Sequence, residues 1–507
     1  MHRCLYISEI LSLVCDNVLE ENGYTPGLRT LAGVARTCRA FSDPALDLLW
    51  RSRSSIAPLI RVMPDDLWME CESLQQGRRV KVIKYRRALE DSDWSRFEYY
   101  GSKIRDLTQF SYFALNYFEE VVHEDVFMAI TGYRPVRTIL PKLRQVALEL
   151  DYPHLAPAIP FYQCILGPSI RSLTMSGTEE EKLPASLLLS IPRLCPNIST
   201  LHISSAVDLD PENHSALYRS LCRLRNLRYV DVVSSPGPTE EAVLHLSQLI
   251  SLKSFKSIVI SSSQASSFTT QGGCFKNLQD FSFEVNNWDI ATQVMKGMHS
   301  SFVTLSICVN GKEGPNTLAA FRKFMSSFHG HPALSSILSL KIAGHVTIPK
   351  PRTMNTRSFS ESMKMLSSFT SLQDLTVNIP SLSHLDDSWL SAAAANWPHL
   401  RSLILRGKEN PKMTLEGLIP VLKHCPDLND LDVTAFWKPF QLRLLEGICN
   451  TEIRYINVWK SKIESPIAVF RCLTTMFPKL RMVCYDEDEA DWGELNEMFE
   501  QCAAYVD

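Results

Sequence analysis

Residues equipped for chemistry are thinly spread along this chain. His123, Glu124 and Asp125 are adjacent, and an imidazole beside two carboxylates is a set that metals use. A helical zinc site needs a second histidine one turn on, and position 127 is Phe. The fourteen cysteines contain no C-x-x-C pair and no Cys/His cluster at zinc spacing. They read as reduced, mostly packed thiols. G-x-G-x-x-G, the P-loop, H-E-x-x-H and G-x-S-x-G are all absent from the sequence, so the usual phosphate, metal and nucleophile signatures are missing. The acidic run Asp486–Trp492 reads as a solvated tail. The sequence therefore points to no catalytic residue, no metal and no cofactor, and the chemistry left to it is recognition.

Charge and length narrow the class further. A net charge of −3 over 507 residues argues against general affinity for nucleic acid or an anionic membrane. No uncharged run of about 20 apolar residues is present, so no bilayer span is expected. The apolar start is interrupted by Glu9, Asp16 and Asn17, which does not suit a signal peptide. The expectation is a soluble protein, cytoplasmic and/or nuclear, whose length demands several domains or one repeat array.

A repeat is written into most of the chain. Phrases such as "PKLRQVALEL", "PSIRSLTMSG", "PHLRSLILRG" and "PDLNDLDVTA" follow an L-x-x-L-x-L-like pattern. Their leading apolar residues are Leu143, Ile170, Ile198, Leu227, Leu252, Leu278, Phe302, Ile337, Leu372, Leu400, Leu428, Ile453 and Leu480. The intervals are 27, 28, 29, 25, 26, 24, 35, 35, 28, 28, 25 and 27. All but the two of 35 fall within the period of leucine-rich repeats, roughly 20–29 residues. The last two apolar positions of each phrase are two apart, as on one face of a strand. Helix-length apolar segments lie between phrases, so right-handed crossovers and a parallel sheet are required. The fold class is therefore α/β: a small all-α module followed by a right-handed, horseshoe-like leucine-rich-repeat solenoid, sheet inside and helices outside. Proline two residues before the leading position, as at Pro141, Pro168, Pro196, Pro398, Pro426 and Pro478, ends each helix. Cys195 and Cys425 share one repeat position and so read as structural. The domain reading is 1–50 for the helical module, 51–140 for a helical linker capping the solenoid, and 141–507 for about thirteen repeats with a C-terminal cap. Within 51–140, Trp94, Phe97, Tyr100, Ile104 and Leu107 fall on one helix face.

A partner would meet the strand residues that alternate with the buried ones. In the later repeats these include Arg406, Asp430, Asp432, Tyr455, Asn457 and Trp459, the candidate substrate-binding set. Tyr455 and Trp459 stand out because large aromatics on a solvent-facing strand call for a cover; the competing reading packs Trp459 against its own neighbouring repeat. Residues 343–362, in the over-long intervals, read as an exposed, mobile basic insertion, open to a substrate contact or a phosphorylated serine.

The first fifty residues pose a different problem. Leu5, Ile7, Ile10, Leu11 and Val14, then Leu31, Val34, Cys38 and Phe41, recur at helical spacing. So few residues bury too little to stand alone, which leaves an apolar stripe for a partner. "LYISEILSLV" followed by "LRTLAGVARTCRAFSDPALDLLW" resembles the F-box, matching at Leu5, Glu9, Ile10, Leu31, Cys38, Arg39, Phe41, Pro44, Leu46 and Trp50. It departs at Ile7, where the family has proline, and in a long "EENGYTPG" spacer. The second phrase is similar to the F-box-like proteins of mushroom-forming fungi. The resemblance implies a substrate receptor: Leu5, Ile7, Ile10, Leu11, Val14, Leu31, Val34, Cys38, Phe41 and Pro44 dock on a Skp-type adaptor and through it on a cullin–RING ubiquitin ligase. The repeats would hold an unidentified protein substrate. The alternative is a ligase-independent leucine-rich scaffold with a degenerate F-box. A GTPase-activating repeat protein would require a catalytic arginine loop that the sequence lacks.

Overall fold

A computed structural model of the chain describes residues 7–22, 24–75, 78–108, 120–133, 138–149, 159–177, 184–205, 209–233, 236–270, 275–311, 316–348, 352–408, 411–485 and 490–503. The chain divides into two compact units, Met1–Pro236 and Gly237–Asp507.

The first unit opens with α1 (Ser8–Asn22), α2 (Tyr24–Val34) and α3 (Arg39–Arg51). Its strands are β1 (Ser52–Arg53), β2 (Trp68–Gln75), β3 (Arg78–Tyr85), β4 (Asp106–Thr108), β5 (Glu120–Val122), β6 (Gln145–Glu149), β7 (Ser172–Gly177), β8 (Thr200–Ser205) and β9 (Tyr229–Val233). β1, β4, β6, β7, β8 and β9 lie side by side in that order as a parallel sheet. β2 and β3 form an antiparallel hairpin, and β5 joins β3 in parallel.

The second unit carries β10 (Ser254–Ile260), β11 (Asp280–Val285), β12 (Thr304–Val309), β13 (Ser339–Gly344), β14 (Asp374–Asn378), β15 (Ser402–Arg406), β16 (Asp430–Val433), β17 (Phe436–Trp437), β18 (Tyr455–Trp459), β19 (Lys462–Ile463) and β20 (Met482–Tyr485). All except β17 and β19, which pair with each other, form one parallel ladder in chain order.

Each repeat phrase gives a strand beginning two residues after its leading position, and every one of those leading side chains is buried. Register holds across the ladder: Phe281, Leu305, Leu340, Leu375, Leu403 and Leu431 stand level on adjacent strands. Level apolar side chains stack from strand to strand, which neither strand nor helix could bury alone. The carbonyl just before a strand takes two amides from the next repeat, as Arg171 does from Ser199 and Thr200 and Gln373 from Arg401 and Ser402. Helices begin at side-chain caps, for example Asp210 accepting from the Asn213 amide and Asn287 from that of Ile290. The prolines sit exposed in the turns where those helices stop. Both units are thus stacks of leucine-rich-repeat type. Cys195 and Cys425 are buried, and burial pushes each thiol up to about 12, so both are inert packing groups.

Three expectations are corrected. Residues 51–140 are not a helical linker: they supply β1 and β4 to the repeat sheet and the separate β2–β3–β5 sheet. Of the expected helix face, helix Trp94–Gly101 carries Trp94, Phe97 and Tyr100 and buries the first two, whereas Leu107 lies in β4. In the 343–362 insertion, residues 352–363 form a helix that buries Phe359 and Met363; apolar contact, not chain length, decides its order, while residues 349–351 lie outside the described set. The acidic tail ends in core, because Trp492 is buried in helix Ala490–Ala503 and its indole N–H donates to the Ser461 carbonyl at 2.9 Å; residues 486–489 are outside the described set. Among the described residues no helix is long and apolar enough to cross a membrane.

Candidate binding surfaces

In the three-helix module the core cluster is Cys15, Leu31, Ala45 and Leu48, with Val18, Val34, Ala35 and Leu49 packed around it, and Leu11 is buried as well. Leu11 and Leu31, expected to face a partner, are therefore interior, 2% and 0% exposed. The reason is geometric. Three helices in fifty residues must cover one another first, and the side chains deepest in that contact are consumed by it. What stays outside is a stripe along α1. Ile7 is 47% exposed, Leu13 64% and Val14 40%, with Ile10 half-buried between them. Leu13 was not among the expected residues, although its spacing from Ile10 places it there. Cys38, Phe41 and Pro44 are half-buried at the start of α3, and Leu5 lies outside the described residues.

The module is fixed to the rest of its unit through α3. Lys103 Nζ sits 2.6 Å from the Asp47 carboxylate and 3.5 Å from that of Asp43. The Tyr99 hydroxyl donates to Asp43 at 2.8 Å, and the Trp50 and Tyr100 rings stack at 4.5 Å. Arg51 ties α3 back to Asp16 of α1 at 3.4 Å.

The second surface lies on β15, β16, β18 and β20, and the six expected residues fall on the first three, adjacent strands. Arg406 reaches across to Asp432, Nε at 2.9 Å and Nη2 at 2.5 Å, both on the same oxygen, Oδ2. Its guanidinium lies over the Trp459 ring, Cζ 4.8 Å from the centroid, a cation–π stack. Trp459 adopts a left-handed backbone, φ +45°, at an irregularity in the β18–β20 register; its amide donates to the Asn457 side chain at 2.9 Å. Bulges of this kind re-aim a side chain. Asp430 accepts from the Ser402 hydroxyl at 2.7 Å. Tyr455 stands 53% exposed and Met482, level with it on β20, 44%. Asp432 is almost fully buried, and its other oxygen, Oδ1, has no hydrogen-bond partner among the described residues. Burial pushes its carboxyl up while the Arg406 bonds pull it back.

The first unit presents a different face. Just before its strands stand Arg105, Arg144, Arg171 and Arg228, a column of cations interrupted by Ser199. On the strands, His202 Nδ1 meets Asp231 at 3.2 Å beside Tyr229, itself 45% exposed. The repeat phrases contain these arginines, but their alignment was visible only once the register was known.

No family model and no curated protein matches the chain. Among solved structures it is similar to the complex of Rad7 and Elc1 in yeast, at 10% identity and TM-score 0.33, covering 75% of this chain and 85% of that one. It is also similar to the leucine-rich-repeat ectodomain of the plant membrane receptor kinase GASSHO1/SCHENGEN3 from Arabidopsis thaliana in complex with CASPARIAN STRIP INTEGRITY FACTOR 2, at 10% identity and TM-score 0.19. There it covers 78% of this chain and 62% of that one, somewhat under two thirds.

Proposed function

We propose that this chain is the substrate-recognition subunit of a Skp–cullin–F-box ubiquitin ligase. The observation that carries the reading is the apolar stripe of Ile7, just before α1, and Ile10, Leu13 and Val14 on it, left wholly or partly uncovered by a module whose own core is already closed. Water-facing stripes of this width on a short helix suit a partner helix. Each side chain, once covered, is worth roughly 1.5–3 kcal/mol, so four together support a stable complex with a Skp-type adaptor. The ion pairs and ring stack that fix α3 support the same role, since they hold the adaptor-facing module firmly to its own unit.

The client would meet the Arg406–Asp432–Trp459 patch with Tyr455 at its edge. Exposed Tyr, a stacked Arg and a half-satisfied carboxylate are the ingredients of interface hot spots. The chain itself performs no covalent step; it raises the concentration of client lysines beside the conjugating enzyme. Ile7, standing where the family has proline, favours the second reading, a ligase-independent scaffold. Purification of the tagged full-length chain from cells, followed by mass spectrometry, separates the two. The ligase reading expects adaptor and cullin in the same complex; a client without either would leave the scaffold.

A further inference from the structure

The two over-long repeats build something on the helical layer of the second unit. Helix Leu318–Ser326 belongs to the first 35-residue interval and helix Arg352–Met363 to the second, and a cavity of about 590 Å³ is lined by both. Arg322, Arg357, Lys364 and His329 line it, all exposed. The carboxylate in that lining, Glu361, meets Lys364 at 3.7 Å as a solvated i,i+3 pair, a weak contact. Lys323, next along, is taken by Asp289 at 3.3 Å. Arg322 donates to the Ser358 hydroxyl, and among the described residues neither Arg322 nor Arg357 has a carboxylate at ion-pair distance.

Three permanent cations gathered around one opening repel each other, and they do so in a chain that is acidic overall. Buried Met325 and Met365 also line the cavity. Nothing in the repeat period requires this gathering, because the neighbouring repeats close with 24 to 29 residues. Guanidinium forks match phosphate oxygens two at a time. The volume is that of a small-molecule site rather than of one inorganic ion.

We infer that this cavity binds a small soluble molecule bearing two or more linked phosphate groups, held by Arg322 and Arg357 from facing helices with Lys364 closing the ring of charge. Occupancy would cross-link the two helices and stiffen the outer layer of the lengthened repeats. No residue of this cavity belongs to the surfaces described above, so the inference can fail without touching the ligase reading.

Titration calorimetry of the full-length chain with inorganic pyrophosphate is the test, with inorganic phosphate and sulfate in parallel. Pyrophosphate should bind at least tenfold more tightly than either and weaken steeply with salt. Arg357→Gln, a solvent-exposed change, should cost at least tenfold in affinity, whereas Lys323→Gln should cost nothing. Should the arginine variant not fold, hydrogen exchange on the wild-type chain still decides: pyrophosphate must slow amides of 318–326 and 352–363. No binding by the wild-type chain, equal affinity in Arg357→Gln, or protection confined to other segments would each overturn the inference. Arg357-dependent capture of a phosphoserine peptide in place of pyrophosphate would overturn it too, assigning the cavity to a protein ligand.

Discussion

Among the described residues each unit holds one buried aspartate against an arginine, and the two pairs are built to opposite ends. In the first unit Asp93 takes Arg87 in a two-pronged grip, Nη1 at 2.7 Å on Oδ2 and Nη2 at 2.8 Å on Oδ1, and also accepts from the Glu90 amide at 2.9 Å. Both oxygens are satisfied, and the Arg87 hydrogen bonds hold the carboxyl below its usual range. In the second unit Arg406 spends both bonds on one oxygen of Asp432, leaves the other bare, and lies against Trp459. There burial dominates and the carboxyl is raised. A fully satisfied pair cements a fold. A half-satisfied one beside a half-buried aromatic costs stability where it stands, which supports the recognition surface proposed above.

The largest effect should come from breaking the satisfied pair. Arg87→Ala strands the buried Asp93 carboxylate and is expected to lower local stability more than any other change at the two pairs, read as faster hydrogen exchange across 87–101. Arg406→Ala should cost less, about 2 kcal/mol, because both Arg406 bonds fall on one oxygen of Asp432, whose carboxyl burial already pushes toward the neutral form. Equal losses would erase the contrast.

Titration sharpens it, because the two signs differ. Asp93 has a depressed folded pKa, so its contribution is fully present above the unfolded value and is lost as pH falls through the folded one. Asp432 has a raised folded pKa, so its contribution is fully present below the unfolded value and is lost as pH rises through the folded one. Asp93→Asn should therefore destabilise at neutral pH by about 1–3 kcal/mol. Asp432→Asn should be neutral or slightly stabilising there, to within about 1 kcal/mol. Melting of both variants between about pH 3 and pH 7 checks the sign.

The smallest stability effect belongs to Tyr455→Ala, within about 0.5 kcal/mol because the ring is mostly solvated. The same change should weaken client binding by about 2 kcal/mol or more. Unaltered client affinity would move the recognition surface off β18.

The sequence carried the repeats plainly because their signal is periodic and redundant: a phrase that recurs at fixed spacing survives one weak copy at Leu252. It carried the β2–β3 hairpin poorly. "RRVKVIKY" alternates as a strand should, with Val80 and Val82 buried, but it belongs to no repeat and so was absorbed into a linker. The Arg406–Asp432 pair is 26 residues apart in sequence and became a pair only through strand register. Helical period also shows that α1 and α2 have apolar positions without showing which of them the module's own packing covers. Leu11 and Leu31 went one way, Leu13 the other.

That last division is the most direct test available. Full-length chain and Skp-type adaptor are co-purified with two single variants, Leu13→Asp on the outer stripe and Leu31→Asp in the module core, with melting followed in parallel. The reading given above predicts that Leu13→Asp melts like wild type and loses the adaptor, while Leu31→Asp loses the adaptor only together with the folded module. Undiminished capture by Leu13→Asp, or no capture by the wild-type chain, would contradict it.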